Sequence, residues 1–97
     1  MLTHIVCWKY KDDATAEQRA DHVARLRALP GVIPNIVSFD VGSDILHLDR
    51  SFDTGLVAVY QDRAGLDLYT DHPAHQEVAA LGKEIAQHVV SVDFITD

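Results

Sequence analysis

The chain has 97 residues, which is enough for one domain, over residues 1–97, with a single hydrophobic core. Apolar residues make up 47% of it and charged residues 24%, a balance typical of a folded protein and not of a disordered one. The formal net charge of −7, without a basic cluster, argues against nucleic acid or an anionic membrane as a partner, and the single cysteine, Cys7, excludes an internal disulfide.

The first predicted element is a strand over residues 3–10, THIVCWKY, which is rich in β-branched and aromatic residues. A helix follows, because Thr15 and Gln18 match the capping box, in which hydroxyl and amide satisfy two backbone donors reciprocally. Pro30 and Gly31 predict its end. The side chains expected to face the core are Ala20, Val23, Leu26 and Leu29.

Two further strands are predicted in the middle of the chain. In residues 36–42, IVSFDVG, apolar and polar residues alternate, which is typical of a half-buried strand. Residues 55–61, GLVAVYQ, are almost continuously apolar, as in a strand that is covered on both faces. The charged segment between these strands is expected to be a long connection.

Pro73 divides the second helical region. Asp62 can cap a short helix, and Pro73 prevents that helix from continuing because its ring removes a backbone donor and disfavours helical geometry in the preceding residue. A new helix can begin at Pro73 itself. Its buried face is predicted to carry Val78, Leu81 and Ile85. Residues 89–95, VVSVDFI, form the last predicted strand, with Val90, Val92 and Phe94 on one side.

This order of elements predicts an α+β protein with the ferredoxin-like βαββαβ fold, in which helices cover one face of an antiparallel four-stranded sheet. The first, third and last strands nevertheless carry apolar residues on both faces. An uncovered apolar face of this kind is unfavourable in water, and a second copy of the chain is the simplest way to cover it. We therefore expect a homodimer that forms through the sheet face.

The segment YTDHPAHQEV, residues 69–78, concentrates the groups that could carry chemistry. If Pro73 is the first helical residue, His72 is the N-cap and His75 lies in the first turn, where the helix dipole favours a neutral imidazole. A neutral imidazole can accept a proton, and the phenol of Tyr69 can donate to a substrate oxygen. Tyr69 and His75 are therefore the candidate catalytic residues.

A second set of residues is expected to bind a ligand. His4 shares a strand face with Val6 and Trp8, so it points towards the same cavity if that face meets the helices. The candidate substrate-binding residues are His4, Trp8 and His72.

Each candidate also has a purely structural interpretation. His72 can cap its helix without any ligand, His75 can be a hydrogen-bonded core histidine, and Tyr69 can be a core aromatic. His72 and His75 have the i, i+3 spacing of metal ligands, but no third ligand follows in register, so no metal site is predicted. Nucleotide-binding and serine-hydrolase motifs are absent, and no cofactor is expected. The remaining histidines are expected at the surface: His22, His47 and His88.

Four segments together resemble the stress-responsive A/B barrel domain (Dabb) family. They lie in collinear order from residue 4 to residue 94: HIVCWKYKDDAT, LPGVIPNIVSFDVG, RSFDTGLVAVY and YTDHPAHQEV. The resemblance implies a ferredoxin-like subunit whose sheet packs on that of a second copy to form a dimeric α/β barrel. This assembly agrees with the homodimer expected from the apolar strands.

The resemblance also implies a chemistry. A plant polyketide cyclase of this family closes its substrate by an intramolecular aldol reaction without a cofactor, and its acid–base tyrosine and histidine match Tyr69 and His75, while its strand-initial pocket histidine matches His4. The present chain departs from that enzyme at Thr54, which replaces a further pocket histidine. Polyketide specificity is therefore not carried over.

Two main hypotheses follow. The first is a cytoplasmic homodimer whose small apolar pocket binds a small carbonyl or aromatic compound, with acid–base catalysis of the cyclase or lyase type. The second is a stress-associated structural dimer without turnover. A third, haem- or metal-dependent oxygen chemistry, has no axial ligand to support it. The cytoplasm is expected because no apolar run approaches the ~20 residues needed to cross a bilayer.

Overall fold

The computed structural model describes residues 1–96 and contains four strands and three α-helices within that range. The sheet is antiparallel, with the strand order β2-β3-β1-β4, so the predicted ferredoxin-like topology is confirmed. The elements are β1 (Leu2–Tyr10), α1 (Ala16–Ala28) with a 3₁₀ turn (Leu29–Gly31), β2 (Ser38–Ser43), β3 (Thr54–Tyr60), α2 (Arg63–Asp71), α3 (Pro73–Ile85) and β4 (Ala86–Ile95).

The N-terminus of α1 has the predicted capping box. Thr15 Oγ1 accepts the backbone N–H of Gln18 at 3.1 Å, and Gln18 Oε1 accepts the backbone N–H of Thr15 at 2.8 Å. Two of the backbone donors at the start of the helix are thereby satisfied by side chains of the same segment. The residues of the 3₁₀ turn, which include Pro30, then end the helical segment as expected.

The inward face of α1 differs from the prediction. Ala20, expected in the core, is exposed, whereas His22, expected at the surface, has 0% of its surface accessible. His22, Leu26 and Leu29 recur at i, i+4 and i+7 and define the buried face, with Val23 beside them. At about 100° of rotation per residue, Ala20 points away from the centre of that face.

The outer strands also differ in their bounds from those expected. β4 begins at Ala86, three residues before the predicted start, because the chain leaves α3 directly into the sheet beside β1. β2 begins at Ser38, and Val37 before it is exposed, although its backbone N–H still donates to the Val59 carbonyl. The long connection between β2 and β3 lies outside the sheet as predicted.

The break between α2 and α3 follows the predicted chemistry. Asp62 caps α2 by accepting the backbone N–H of Gly65 at 3.0 Å. His72 closes α2 and caps α3, and Pro73 is the first residue of α3. The proline thus ends one helix and starts another at a single position.

The two faces of the sheet are covered unequally in one subunit. One face packs against the three helices and carries the buried core, which includes Val6, Leu56 and Tyr60. On the other face Val57 is 42% exposed and Val92 is 53% exposed, so β3 is covered on both faces only if something packs there. Within residues 1–96 no helix combines the length and the hydropathy that a membrane span requires.

Candidate functional site

A cavity of about 230 Å³ lies between the helix-facing side of the sheet and helices α2 and α3. His4 and Trp8 reach it from β1, Tyr69 from α2 and His75 from α3. The prediction that His4 shares the helix-facing side of β1 with Trp8 is confirmed. The rest of the lining is mostly apolar: Val6, Leu26, Leu56, Thr70, Val78, Ala79, Lys83, Val89 and Ser91.

Four larger hollows on the surface lack this combination of groups, and two of them border the sheet or the β2–β3 connection. One of about 540 Å³ lies on the open face of the sheet beside Cys7 and Val57, and one of about 480 Å³ lies between α1 and the β2–β3 connection. Both are more open to solvent than the cavity under α3. A ligand site needs concave apolar walls with a few convergent polar groups, and the smaller cavity fits that description best.

His75 is held in one tautomer by the helix break. Its Nδ1 lies 3.0 Å from the carbonyl oxygen of Thr70, and because a carbonyl only accepts, Nδ1–H is the donor. The lone pair of the neutral ring is therefore on Nε2. Burial lowers the pKa of His75, the hydrogen bond to Thr70 opposes this shift, and the nearby His4 adds to it. His75 is thus a neutral base at pH 7, chiefly because of desolvation.

Tyr69 lies against both histidines. Its ring centroid is 4.3 Å from that of His75 and 6.2 Å from that of His4, and the residue is only 2% exposed. Burial raises the pKa of the Tyr69 phenol above its usual value. The hydroxyl consequently keeps its proton at neutral pH and can act as a hydrogen-bond donor.

His4 is oriented by a carboxylate that the sequence analysis did not select. His4 Nδ1 contacts Asp93 Oδ1 directly, and the two residues are opposite each other in the β1–β4 register. A carboxylate accepts, so Nδ1 of His4 carries the proton and Nε2 is left for other contacts. The sequence did contain a signal for Asp93: Ser91 and Asp93 are polar residues two positions apart in an otherwise apolar strand, so they share one face of it.

Of the other two candidate binding residues, Trp8 lines the cavity and His72 lies outside it. His72 does not line the cavity; its Nδ1 accepts the backbone N–H of Ala74 at 3.1 Å and serves as the N-cap of α3. Trp8 lines the cavity wall and packs edge-on against His22, with ring centroids 5.0 Å apart. Thr54, which replaces the further histidine of the plant cyclase, is buried and bonded to the Tyr10 hydroxyl.

The cavity therefore brings together four of the five predicted site residues, and their roles in binding and catalysis stay predictions. Within residues 1–96, no group of three or more His, Cys, Asp or Glu side chains is arranged to hold a metal ion. Three polar residues of the lining were not selected from the sequence: Thr70, Lys83 and Ser91.

Comparisons with known proteins give relatives over nearly the whole chain. An uncharacterized protein of Streptomyces coelicolor is 28% identical over 93 residues, which are 94% of this chain and 96% of that protein. A crystal structure from Thermobifida fusca, described as a dimeric ferredoxin-like protein of unknown function, has a TM-score of 0.89 at 26% identity and covers 98% of this chain and 90% of that one.

A hydroxynitrile lyase from Passiflora edulis has a similar structure, with a TM-score of 0.87 at 20% identity, covering 99% of this chain and 93% of the lyase. At that identity the likeness extends to the fold alone. Residues 2–96 match the protein family described as the Stress responsive A/B Barrel Domain (Dabb). This match confirms the resemblance found in the sequence, and the chain belongs to the Dabb family.

Proposed function

We propose that the protein is a homodimer in which each subunit binds a small carbonyl or aromatic compound in the cavity, and that His75 and Tyr69 act on it as an acid–base pair. The reaction would be of the cyclase or lyase type and would need no cofactor. The observation that carries the proposal is the convergence of His4, Tyr69 and His75 on one apolar cavity of about 230 Å³. Perturbed titratable groups in a cleft favour a functional site.

The chemistry follows from the protonation states. Nε2 of neutral His75 would take a proton from the carbon next to a carbonyl group, and the electron pair of that C–H bond would move onto the carbonyl oxygen as an enolate. The Tyr69 hydroxyl would donate a hydrogen bond to that oxygen as its charge develops. Because burial lowers the pKa of His75, the base form would persist below pH 6.5.

The relatives support this chemistry at the level of analogy. The Passiflora edulis neighbour is named as a hydroxynitrile lyase, so a chain with this fold carries out a lyase reaction. Its 20% identity does not extend that activity to the present chain. A role in a stress response is implied by the family name, and a cytoplasmic location stays a prediction from the sequence.

Substitution of His75 tests the proposal. In His75→Ala, we expect little change in the melting temperature but loss of the stabilisation that small carbonyl or aromatic compounds give to the wild type, because ligand binding shifts unfolding by mass action. Thermal melts of both proteins against a panel of such compounds measure this. Tyr69→Phe is the companion variant, since it keeps the buried ring and removes only the hydroxyl. Compounds that stabilise His75→Ala and Tyr69→Phe as strongly as the wild type would contradict the proposal.

A structural dimer without turnover is the second candidate. Both histidines of the helix joint bond to the backbone: His72 accepts from Ala74, and His75 donates to Thr70. Under this alternative, His75→Ala should itself lower the free energy of unfolding by roughly 1–3 kcal/mol, because a backbone carbonyl loses its partner. No compound of the panel should then stabilise the wild type.

The open face of the sheet supports the proposed dimer. Its central part consists of apolar side chains of three strands, among them Ile5, Val57 and Val92. At roughly 25 cal/mol per Å², exposure of several hundred Å² there is unfavourable by an amount on the order of 10 kcal/mol. The Thermobifida fusca structure, which shares the fold, is described as dimeric. Light scattering should give twice the chain mass of 10.8 kDa.

A further inference from the structure

The cavity differs in charge from the rest of the molecule. The whole chain is acidic, with 15 Asp and Glu residues against 8 Lys and Arg and a net charge of −7. Within residues 1–96, however, the lining of the cavity includes no Asp or Glu, and its one permanently charged residue is Lys83. A cavity with a single cation in an acidic protein favours an anionic ligand group over a cationic one.

Lys83 lies at the end of the cavity opposite to the acid–base groups. His75, Ala79 and Lys83 recur every four residues on α3, so they share one side of the helix, and the Cα atoms of His75 and Lys83 are about 12 Å apart at ~1.5 Å per residue. The neighbouring Gly82 packs against Trp8, where an added Cβ would be 3.1 Å from the indole nitrogen.

The pairing of β1 with β4 independently places Trp8 and His4 at opposite ends of the cavity. Trp8 is opposite Val89, whereas His4 is opposite Asp93, four residues further along β4. The Asp93 carboxylate next to His4 would repel an anionic group at that end of the cavity. An anionic group is therefore favoured at the Lys83 end, and the reacting carbonyl at the end with the histidines.

Lys83 is available for such a contact. The ion pairs within residues 1–96 are formed by other side chains, and Lys83 is exposed while it also lines the cavity, which places it at the rim. A lysine at a rim can lay its methylene chain along apolar walls and keep its ammonium group in contact with water. Its three N–H donors can then bind a carboxylate through charge-assisted hydrogen bonds.

We propose that Lys83 is a specificity-determining residue that binds the carboxylate of a small aromatic or aliphatic carbonyl compound. This rests on the proposed function, since it assumes that the carbonyl group lies between His75 and Tyr69. The cavity of about 230 Å³ is smaller than the roughly 300–1,000 Å³ typical of sites for drug-sized ligands, so the substrate is a small bifunctional compound with its two groups at opposite ends.

A matched pair of probes tests the role of Lys83. 4-Acetylbenzoate and 4-acetylbenzamide have nearly the same shape and the same acetyl group, and they differ in charge at the opposite end. We expect the wild-type dimer to bind the carboxylate roughly 5- to 20-fold more tightly than the amide in NMR titrations at low salt. The ratio of the two affinities should fall at ~0.5 M salt, because salt screens a charge contact that is partly exposed to solvent.

Variants at Lys83 separate its charge from its shape. Lys83→Met keeps a long unbranched side chain without the charge and should abolish the preference for the carboxylate over the amide. Lys83→Arg should retain it. Lys11→Met is the matched control, because Lys11 donates to the Glu84 carbonyl near the same end of α3 but does not line the cavity. This control should keep the wild-type preference.

The outcomes distinguish the two proposals. If the wild type binds both probes equally, or if Lys83→Met keeps the preference for the carboxylate, the role of Lys83 is overturned and carbonyl binding in the cavity stands. If the wild type binds neither probe at millimolar concentration, the proposed function is contradicted and the role of Lys83 falls with it. Exchange of the acetyl protons for deuterium, lost in His75→Ala and kept in Lys11→Met, would attribute base catalysis to the histidine end.

Discussion

The buried imidazole of His22 lies in a small polar network inside the apolar core. Its Nδ1 is 2.7 Å from the hydroxyl of Tyr10, which is in turn 2.8 Å from Oγ1 of Thr54. Within residues 1–96 its Nε2 has no hydrogen-bond partner, and a Cβ added to Gly82 would lie 2.9 Å from it. Burial lowers the pKa of His22. Protonation would therefore place an imidazolium where no acceptor faces Nε2.

This burial predicts acid sensitivity at the residue scale. Because the pKa of His22 in the folded state is below the unfolded value of about 6.5, the unfolded chain binds the proton more readily. The contribution of neutral His22 to the free energy of unfolding is fully present above about pH 6.5. It is lost as the pH falls towards the folded pKa, by at most ~1.4 kcal/mol per pH unit for this one group. Urea unfolding of the wild type between pH 5 and pH 7 measures the slope.

His22→Gln should reduce that slope, since glutamine does not titrate, although it lowers stability at pH 7 by disturbing the Tyr10 contact. His47→Gln is the comparison variant, because it also replaces one imidazole, but at an exposed position on the β2–β3 connection. Burial also lowers the pKa of His75, so part of the slope should remain in His22→Gln. An unaltered slope in His22→Gln would contradict this prediction, because it would mean that His22 takes up as many protons in the folded state as in the unfolded state.

At the scale of elements, the joint between α2 and α3 positions the base. The backbone turns at His72, whose φ and ψ of −65° and 134° are extended and not helical, and α3 begins at Pro73. Two residues into the new helix, His75 is directed back towards the Thr70 carbonyl at the end of α2. The orientation of the imidazole therefore depends on the angle between two helices and not on α3 alone.

The capping role of His72 gives a prediction for this joint. His72→Ala should lower the free energy of unfolding by about 0.5–2 kcal/mol, because the backbone N–H of Ala74 loses its side-chain acceptor. His72→Asn should retain most of the stability, since asparagine is a favoured N-cap residue. Urea titrations of the three proteins provide the measurement. Equal losses in both variants would mean that His72 stabilises the joint through the packing of its ring.

For the molecule as a whole, the open sheet face is the interface of the proposed dimer. In the β1–β4 pairing Ile5 is opposite Val92, and in the β1–β3 pairing it is opposite Val57, so three strands present aliphatic side chains side by side. These three residues form a continuous apolar surface across the centre of the sheet. Burying it between two copies removes it from water without any change to the helix layer.

A charge in that surface should separate the subunits. Val92→Glu places a carboxylate where Val92 is 53% exposed in one subunit and would be buried in the dimer, and an unpaired buried charge is strongly unfavourable. We expect sedimentation velocity to show mainly monomer at micromolar concentration. Val32→Glu is the matched control, since Val32 is 61% exposed after the 3₁₀ turn and outside the sheet, and this variant should remain dimeric. A dimeric Val92→Glu would place the interface elsewhere.

Local chemistry makes much of the fold predictable from the sequence. The Thr15–Gln18 capping box and the break at Pro73 depend on residues close together in the chain, so the amino-acid order alone is enough to predict both. The period-two pattern of β4 predicts which side chains share a face, although not that the strand begins at Ala86. That boundary depends on pairing with β1, which is a long-range contact.

The sequence by itself determined the order and type of the elements, the Dabb family and the candidate trio of His4, Tyr69 and His75, because periodicity, capping and motif spacing are properties of neighbouring residues. Only the tertiary structure decided that His22 is buried, that Asp93 contacts His4, and that Lys83 lies on the rim opposite to His75. These facts depend on strand register and on the rotation of each helix about its axis. Both are set by packing between segments far apart in the chain, so a local pattern can indicate which residues share a face but not these contacts.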